Sequence, residues 1–298
     1  MIQDALGSML HLLRHPANQA GRSAAILRYM RWQLGSRILR EPVAMPFIDD
    51  SRLLVESSMH GATGNYYYGL QEFEDMAFVL HHMRPDDEFH DVGGNVGAYA
   101  IAAAVAGAAH VHTYEPSPST AALLKRNVDL NALGHRITIH ECALGSDNGV
   151  VELVESDSNV LNHVRGPSDK KVGINVAIHR LDDHRPAGGQ KWMMKIDVEG
   201  YEAHVLSGAG SALSDPSLMA VIMEANDTGL QYPDSSIDPM DTMQRNGFTA
   251  CTYDPFNRVL SLRSRLPSSG NVLFLRDLDV SQERVSNARQ FAISTGSI

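Results

Sequence analysis

Between residues 23 and 40 the apolar residues Ile26, Leu27, Met30, Leu34 and Ile38 recur at helical spacing. Glu41-Pro42 and Met45-Pro46 stop that pattern, because proline lacks the amide hydrogen a helix interior needs. Residues 52–57 read as a short strand, and 71–83 as a helix with Phe73, Met76, Ala77 and Leu80 on one face. After the turn at Pro85-Asp86-Asp87 the pattern becomes rhythmic. Strands are predicted over 88–92, 109–114, 136–142, 192–196 and 218–224, and helices over 96–106, 119–131, about 200–206 and 238–246. Two further strands, 149–155 and 175–181, flank a polar loop, and 248–253, 259–262 and 271–275 close the chain as strands. Strands alternating with helices imply a doubly wound α/β fold with a mostly parallel sheet covered on both faces. The short loops between the last strands imply an antiparallel C-terminal edge. The expected organisation is a helical N-terminal extension over 1–60, an α/β domain over 61–280 and a tail over 281–298.

The 298 residues, 43% apolar and 20% charged, are enough for one large domain with a real core. The longest stretch near the middle without a polar side chain, 100–109, has ten residues, whereas a membrane span needs about 20. No transmembrane segment is therefore expected. Cys142 and Cys251 are the only cysteines, which excludes a disulfide framework and a cysteine-based zinc site and suits a reducing cytoplasm. The net charge of −10 disfavours nucleic acid as a partner, since tracking phosphates needs a basic surface. The charge is uneven. Residues 1–40 hold six arginines and one acid, Asp4, leaving 19 basic and 34 acidic residues for the rest. This arm lacks the apolar region and cleavage site of a secretory signal. It reads as a helical cap packed on the body, with a transit peptide or a surface- or partner-binding arm as the alternative.

The richest stretch for chemistry is Asp91-Val92-Gly93-Gly94-Asn95-Val96-Gly97, placed between a strand and a helix. Glycines there allow a tight turn and close approach of a ligand to the backbone. The dinucleotide pattern G-x-G-x-x-G is not matched, because Asn95 stands where the second glycine belongs. A pyrophosphate would also be repelled by Asp91, whereas S-adenosylmethionine carries an ammonium and a sulfonium that a carboxylate favours. Glu115 ends the next strand in Glu115-Pro116-Ser117, at a distance suited to accepting hydrogen bonds from ribose hydroxyls. The third strand ends at Cys142-Ala143, where an adenine ring would lie. A lone glycine loop is often only a strand–helix turn, but loop, acid and third-strand terminus in this order point to S-adenosylmethionine.

At these residues the sequence resembles the FkbM family of methyltransferases, a branch of the class I S-adenosylmethionine-dependent enzymes. The resemblance rests on the strings TGNYYYGLQEFED, FHDVGGNVGAYA, TYEPSP, ECALG, NHV, WMMKIDVEGYEAHVLSGA and IMEAN, in family order over about residues 60–275. It implies a seven-stranded sheet and methyl transfer to an oxygen, commonly a hydroxyl on a natural product or sugar. Gly94 stands where relatives often have alanine.

Methyl transfer to a hydroxyl requires alignment of nucleophile and methyl group, exclusion of water and a base or cation for the developing charge. The fourth core strand ends in Lys195-Ile196-Asp197-Val198-Glu199, with Lys195 and Asp197 on one face. Charges at such a position read either as an internal ion pair or as the catalytic centre, with Asp197 at the reacting group or cofactor and Lys195 its electrostatic partner. Glu224 and Asn226 end the neighbouring strand. Glu224 is either a catalytic group or a cap for the segment that follows. Asp197, Glu199 and Glu224 together would suit Mg²⁺ or Ca²⁺, although carboxylates alone do not separate a base from a ligand set. His163, in the polar loop, is an alternative base or a solvated histidine. Tyr66, Tyr67 and Tyr68 either close over the cofactor, Tyr66 foremost, or pack the cap. The rival from another class is a non-catalytic S-adenosylmethionine-binding partner or sensor, against which the intact carboxylates argue.

Overall fold

The computed structural model describes residues 9–19, 21–39, 41–56, 60–156, 162–166, 169, 171–184, 189–225, 237–267 and 269–298. The N-terminal part comprises helix α1 (Arg22–Gly35), the hairpin β1 (Val43–Pro46) and β2 (Arg52–Val55), and helices α2 (His60–Tyr68) and α3 (Phe73–His82). The central run is β3 (Glu88–Val92), α4 (Ala98–Ala106), β4 (His110–Tyr114), α5 (Pro118–Leu130) and β5 (Ile137–His140). A small sheet follows, from β6 (Ala143–Leu144), β7 (Gly149–Val154), β8 (His163–Val164) and β9 (Ile174–His179). The chain continues through β10 (Trp192–Ile196), α6 (Glu202–Ser207), α7 (Gly210–Ser214), β11 (Leu218–Ala225) and α8 (Pro239–Arg245). It ends with β12 (Thr249–Asp254), β13 (Val259–Leu262), β14 (Gly270–Leu275), α9 (Leu278–Ser286) and the short pair β15 (Ala292–Ile293) and β16 (Gly296–Ser297).

The main sheet has eight strands in the order β13-β12-β14-β11-β10-β3-β4-β5. The strands from β5 to β11 run parallel, and β14, β12 and β13 add antiparallel pairs. The seven strands implied by family resemblance are thus exceeded by one. The extra strand is β13, folded back on β12 by a turn in which the Asp254 carboxylate accepts the amide hydrogens of Phe256 (3.0 Å) and Asn257 (3.2 Å). The chain starts at β3, moves outward to β5, then returns to the other side of β3 as β10. That reversal opens a crevice at the carboxyl ends of β3 and β10, where such sheets bind ligands.

Alternation along the strands divides the core. Phe89, Val111 and Met193 join the side packed by α3 and α4, while Trp192, Met194, Ile196 and Tyr114 join the side packed by α6 and α7. β10 is buried at every position, as a central parallel strand should be. The run Ala100–Ala104 of α4 is buried, and its small side chains let that helix lie close to the sheet. Among the described residues between β5 and β10 the chain forms the small sheet, in order β6-β9-β7-β8, and the 3-10 turn Leu181–Asp183, with no α-helix.

The N-terminal helix packs through a different face from the one its periodicity predicts. α1 buries Ala25 and Trp32, whereas Leu27, Met30, Leu34 and Ile38 are exposed. The docking is set by Arg28, which donates to the Tyr67 carbonyl (2.6 Å) and to Asn18 Oδ1 (2.8 Å), and by the Tyr29–Tyr67 ring contact at 5.1 Å. The C-terminal residues close on the same region: Ile48 bridges Ile293, Arg289 pairs with Asp49 at 2.8 Å, and Phe291 and Ile298 are buried. No described helix is long and apolar enough to cross a membrane.

Candidate active site

The loop from β3 to α4 is bent by three residues with left-handed backbone: Gly93 (φ 85°), Asn95 (φ 46°) and Gly97 (φ 87°). A Cβ on Gly93 would collide with the carbonyl oxygen of Asp197, so the glycine is what lets the loop approach the end of β10. Asn95 occupies a conformation that asparagine tolerates better than most side chains, which explains why a second glycine is dispensable there. The Glu115 carboxylate accepts the amide hydrogens of Asn95 and Ser117, each at 2.9 Å, and so ties this loop to the end of β4. Burial raises the Glu115 carboxyl to about 7 despite those two hydrogen bonds. Asp91 is buried and accepts the Ala100 amide hydrogen of α4 at 3.1 Å. Burial pushes it up to about 7, with Lys195 opposing and Asp197 adding to the shift.

Lys195 lies under the crevice, with Nζ 2.5 Å from Asp197 Oδ2, 3.8 Å from Glu72 Oε2 and 4.6 Å over the Tyr99 ring. Burial alone would lower its ammonium, but Asp197, Glu72 and Asp91 outweigh that and hold it above the usual lysine range. Beyond Asp197 the chain turns sharply at Glu199 (φ 54°) and Gly200 (φ 98°), and Glu202 braces the turn by accepting the Val198 and Gly200 amide hydrogens at 3.2 Å. A non-glycine residue in that region is strained, and such strain gathers at functional sites. Carboxylate oxygens of Asp197, Glu199 and Glu224 lie within 4.8 Å of one another. Burial, followed by the Asp197 charge, raises Glu199 to about 7 and Glu224 to about 8.

The cleft holds about 1110 Å³ of space counted out to its mouth. Of the residues singled out in the sequence, Asp91, Gly93, Asn95, Glu115, Pro116, Cys142, Ala143, His163, Lys195, Asp197 and Glu199 line it. Asp197 also lines a second, adjoining cleft with Glu224, Glu72 and Asp75. Three expected cofactor residues stand behind the wall instead. Gly97 begins α4, and Ser117 caps α5, with its hydroxyl accepting the Thr120 amide hydrogen and donating to Glu155 at 2.5 Å. Tyr66 is not among the lining residues; it packs on Trp32 (5.8 Å) and Tyr67 (6.0 Å), because the tyrosines sit on helix α2 and only the Asn65 side of that helix faces the cleft. His163 Nε2 pairs with Asp169 Oδ2 at 3.1 Å on the wall formed by the small sheet. Asn226 lies outside the described residues.

Sequence reasoning missed Glu72, which accepts from the Tyr99 hydroxyl (2.6 Å) and Asn271 (2.7 Å), and missed Asp75, which burial and the Glu72 charge raise to about 7. The only signal for them was three acids, Glu72, Glu74 and Asp75, at the start of an otherwise apolar helix. With Glu72, five carboxyl groups among the described lining residues of the cleft face one ammonium, Lys195. Such a surplus favours a cationic ligand.

A doubly wound α/β sheet with an acid-lined cleft at its switch point, closed by a bent glycine loop, defines the class of ligand-binding α/β enzymes to which the methyltransferases belong. Residues 91–250, more than half of the chain, match the methyltransferase FkbM domain, and the chain belongs to that family. The resemblance read from its motifs is thus borne out. No curated protein matches the chain. Among solved structures, methyltransferase FkbM from Methylobacillus flagellatus is similar at 17% identity and a TM-score of 0.41, over 75% of this chain and 56% of that one. The chain thus spans little more than half the length of that relative. The ribosomal protein L11 methylase from Lactobacillus delbrueckii is similar at 16% identity and a TM-score of 0.38, over 70% of this chain and 81% of that one. A SAM-dependent O-methyltransferase from Thermotoga maritima is similar at 15% identity and a TM-score of 0.33, over 67% of this chain and 62% of that one.

Proposed function

We propose that this protein is an S-adenosylmethionine-dependent methyltransferase that methylates a hydroxyl oxygen on a small natural product or a sugar or glycan. The observation that carries the reading is the surplus of carboxylates around buried Lys195, set at the end of β10 against the bent glycine loop. S-adenosylmethionine supplies a methyl group on a positively charged sulfur. The residues present fit it. The β3–α4 loop has the open backbone that its glycines permit, and Asp91 and Asp197 place carboxyl groups beside it. Each Glu115 oxygen has a lone pair left after its backbone hydrogen bond and would take a ribose hydroxyl. Cys142 and Ala143 form an apolar wall for the adenine.

Asp197 is the group we assign to the acceptor. It keeps 27% side-chain exposure while its partner Lys195 keeps 4%, so the carboxylate is presented and the ammonium supports it. Asp197 takes the hydroxyl proton as general base, and the Lys195 ammonium pairs with its carboxylate at 2.5 Å. A second reading rests on the approach of Asp197, Glu199 and Glu224 to within 4.8 Å: the three hold a divalent cation of the Mg²⁺ kind, against which an acceptor hydroxyl would be oriented and made more acidic.

The experiment is calorimetric titration with S-adenosylmethionine, followed by incubation with methyl-labelled cofactor and a pool of hydroxyl-bearing acceptors. Saturable binding and label in an alkali-stable ether are expected. Failure to bind the cofactor overturns the reading, and binding without transfer to any acceptor favours a sensor or partner subunit.

A further inference from the structure

We propose that Glu88, His90 and His112 form a second site, for a divalent transition ion of the zinc class, at the end of the sheet opposite the cleft. Nothing in the methyltransferase reading uses these residues. Strand period places Glu88 and His90 of β3 on one face, with Trp192, away from Lys195 and Asp91. The β3–β4 register sets His112 directly beside His90. One ligand atom from each of the three residues lies within 4.8 Å of the others.

Each of the two imidazoles has its Nδ1 engaged by a neighbouring side chain. In metal sites the ring nitrogen not bound to metal is held by a hydrogen bond, which fixes the ring and its tautomer. Here His112 Nδ1 meets His140 Nε2 at 3.1 Å, and His90 Nδ1 meets the Tyr114 hydroxyl at 3.1 Å. Both rings therefore have Nε2 left over. His112 Nε2 lies 3.8 Å from Glu88 Oε2. His90 Nε2 is fully buried and has no hydrogen-bond partner. A buried polar atom with no partner is costly and calls for an explanation.

Two imidazoles and one carboxylate suit Zn²⁺, Co²⁺ or Ni²⁺ rather than Mg²⁺ or Ca²⁺, which prefer all-oxygen sets. Zinc bonds of ~2.0–2.2 Å bring tetrahedral ligands to roughly 3.4 Å apart. Glu88 and His112, with side chains 12% and 24% exposed, have the freedom to close that gap and leave an entry path and a fourth position for water. Among the described residues between β5 and β10 no α-helix covers this part of the sheet.

The test uses tag-free full-length protein, stripped with EDTA and dialysed, titrated with Zn²⁺ by calorimetry and with Co²⁺ by visible absorption. One equivalent is expected to bind, with the d–d bands of Co²⁺ bound to nitrogen ligands, and to raise the melting temperature. Glu88→Gln and His112→Gln, both at partly exposed side chains, should each weaken binding at least tenfold while circular dichroism is unchanged. Glu224→Gln should bind as the wild type does. Absence of tight binding, or binding lost in Glu224→Gln but kept in Glu88→Gln and His112→Gln, overturns the proposal.

Discussion

Lys195 and Asp197 meet at 2.5 Å, and the lysine is the buried member of the pair. With 4% side-chain exposure against 27% for Asp197, which presents most of the pair, the ammonium presents little of itself to the cleft. Its influence is electrostatic, through Asp197, Glu72 and Asp91. Asp197 stands where the two clefts join. Replacing it by asparagine keeps size and removes charge. Asp197→Asn should lower turnover by about 10²-fold or more, the scale of a lost general base, with the circular dichroism spectrum unchanged. EDTA separates its two possible duties: wild-type activity lost with EDTA and restored by Mg²⁺ assigns a ligand, and indifference assigns a base. Normal turnover in Asp197→Asn would transfer the role to His163.

Glu115→Ala should weaken S-adenosylmethionine by about 2–3 kcal/mol, because charge-assisted hydrogen bonds disappear. It also leaves the Asn95 and Ser117 amide hydrogens without their acceptor, so the glycine loop should loosen. Calorimetry checks the affinity, and amide exchange at Asn95 checks the loop. Unchanged affinity would contradict the placement of the ribose.

Gly93→Ala should abolish cofactor binding and cost about 1–3 kcal/mol of stability, the scale of local backbone strain. The added methyl meets the Asp197 carbonyl while the backbone is held at a positive φ of 85°. Urea unfolding measures the loss, and a stable, binding-competent Gly93→Ala would show that the loop and the end of β10 are not in close contact.

Stability should fall with rising pH through the cleft carboxylates. Burial first, then neighbouring charge, raises Glu199 to about 7 and Glu224 to about 8. Both lie above the unfolded value of about 4.3, so the folded state binds these protons more tightly. Their contribution is whole below about pH 4 and is lost as pH rises through about 7 to 8. Glu224→Gln is neutral throughout. Its melting temperature should therefore gain on the wild type between about pH 5 and pH 8, and parallel curves for the two proteins would count against the raised value.

The N-terminal helix offers a paired test. Trp32→Ala should cost about 3 kcal/mol, since a buried aromatic is removed. Leu34→Ala, at a residue 61% exposed, should change stability by no more than about 0.5 kcal/mol. Thermal unfolding of both variants distinguishes this packing from the one that helical spacing alone suggests, in which Leu34 faces the core.

What the sequence determined by itself is what short-range rules govern. The alternation of strands and helices is a matter of local periodicity, and it placed β3, β4, β10 and β11 within a residue or so. The glycine loop and the charges at 91, 115, 195, 197 and 199 are legible because glycine where a strand turns into a helix, and charge at the end of an apolar strand, are anomalies within a few residues. The tertiary structure decided what depends on distant partners. Which stripe of α1 is buried follows from Arg28 reaching Tyr67, not from the spacing of its leucines. Tyr66 turns from the cleft because α2 is a helix docked through its other faces. Glu72 enters the site across 123 positions of chain to Lys195, and Glu224 approaches Asp197 only because β10 and β11 are neighbours. The histidines at 90, 112 and 140 become a cluster only when three parallel strands bring them side by side. A periodicity reports that a residue has an inside and an outside. Only the packed fold, by satisfying or starving each polar group, decides what stands on the inside with it.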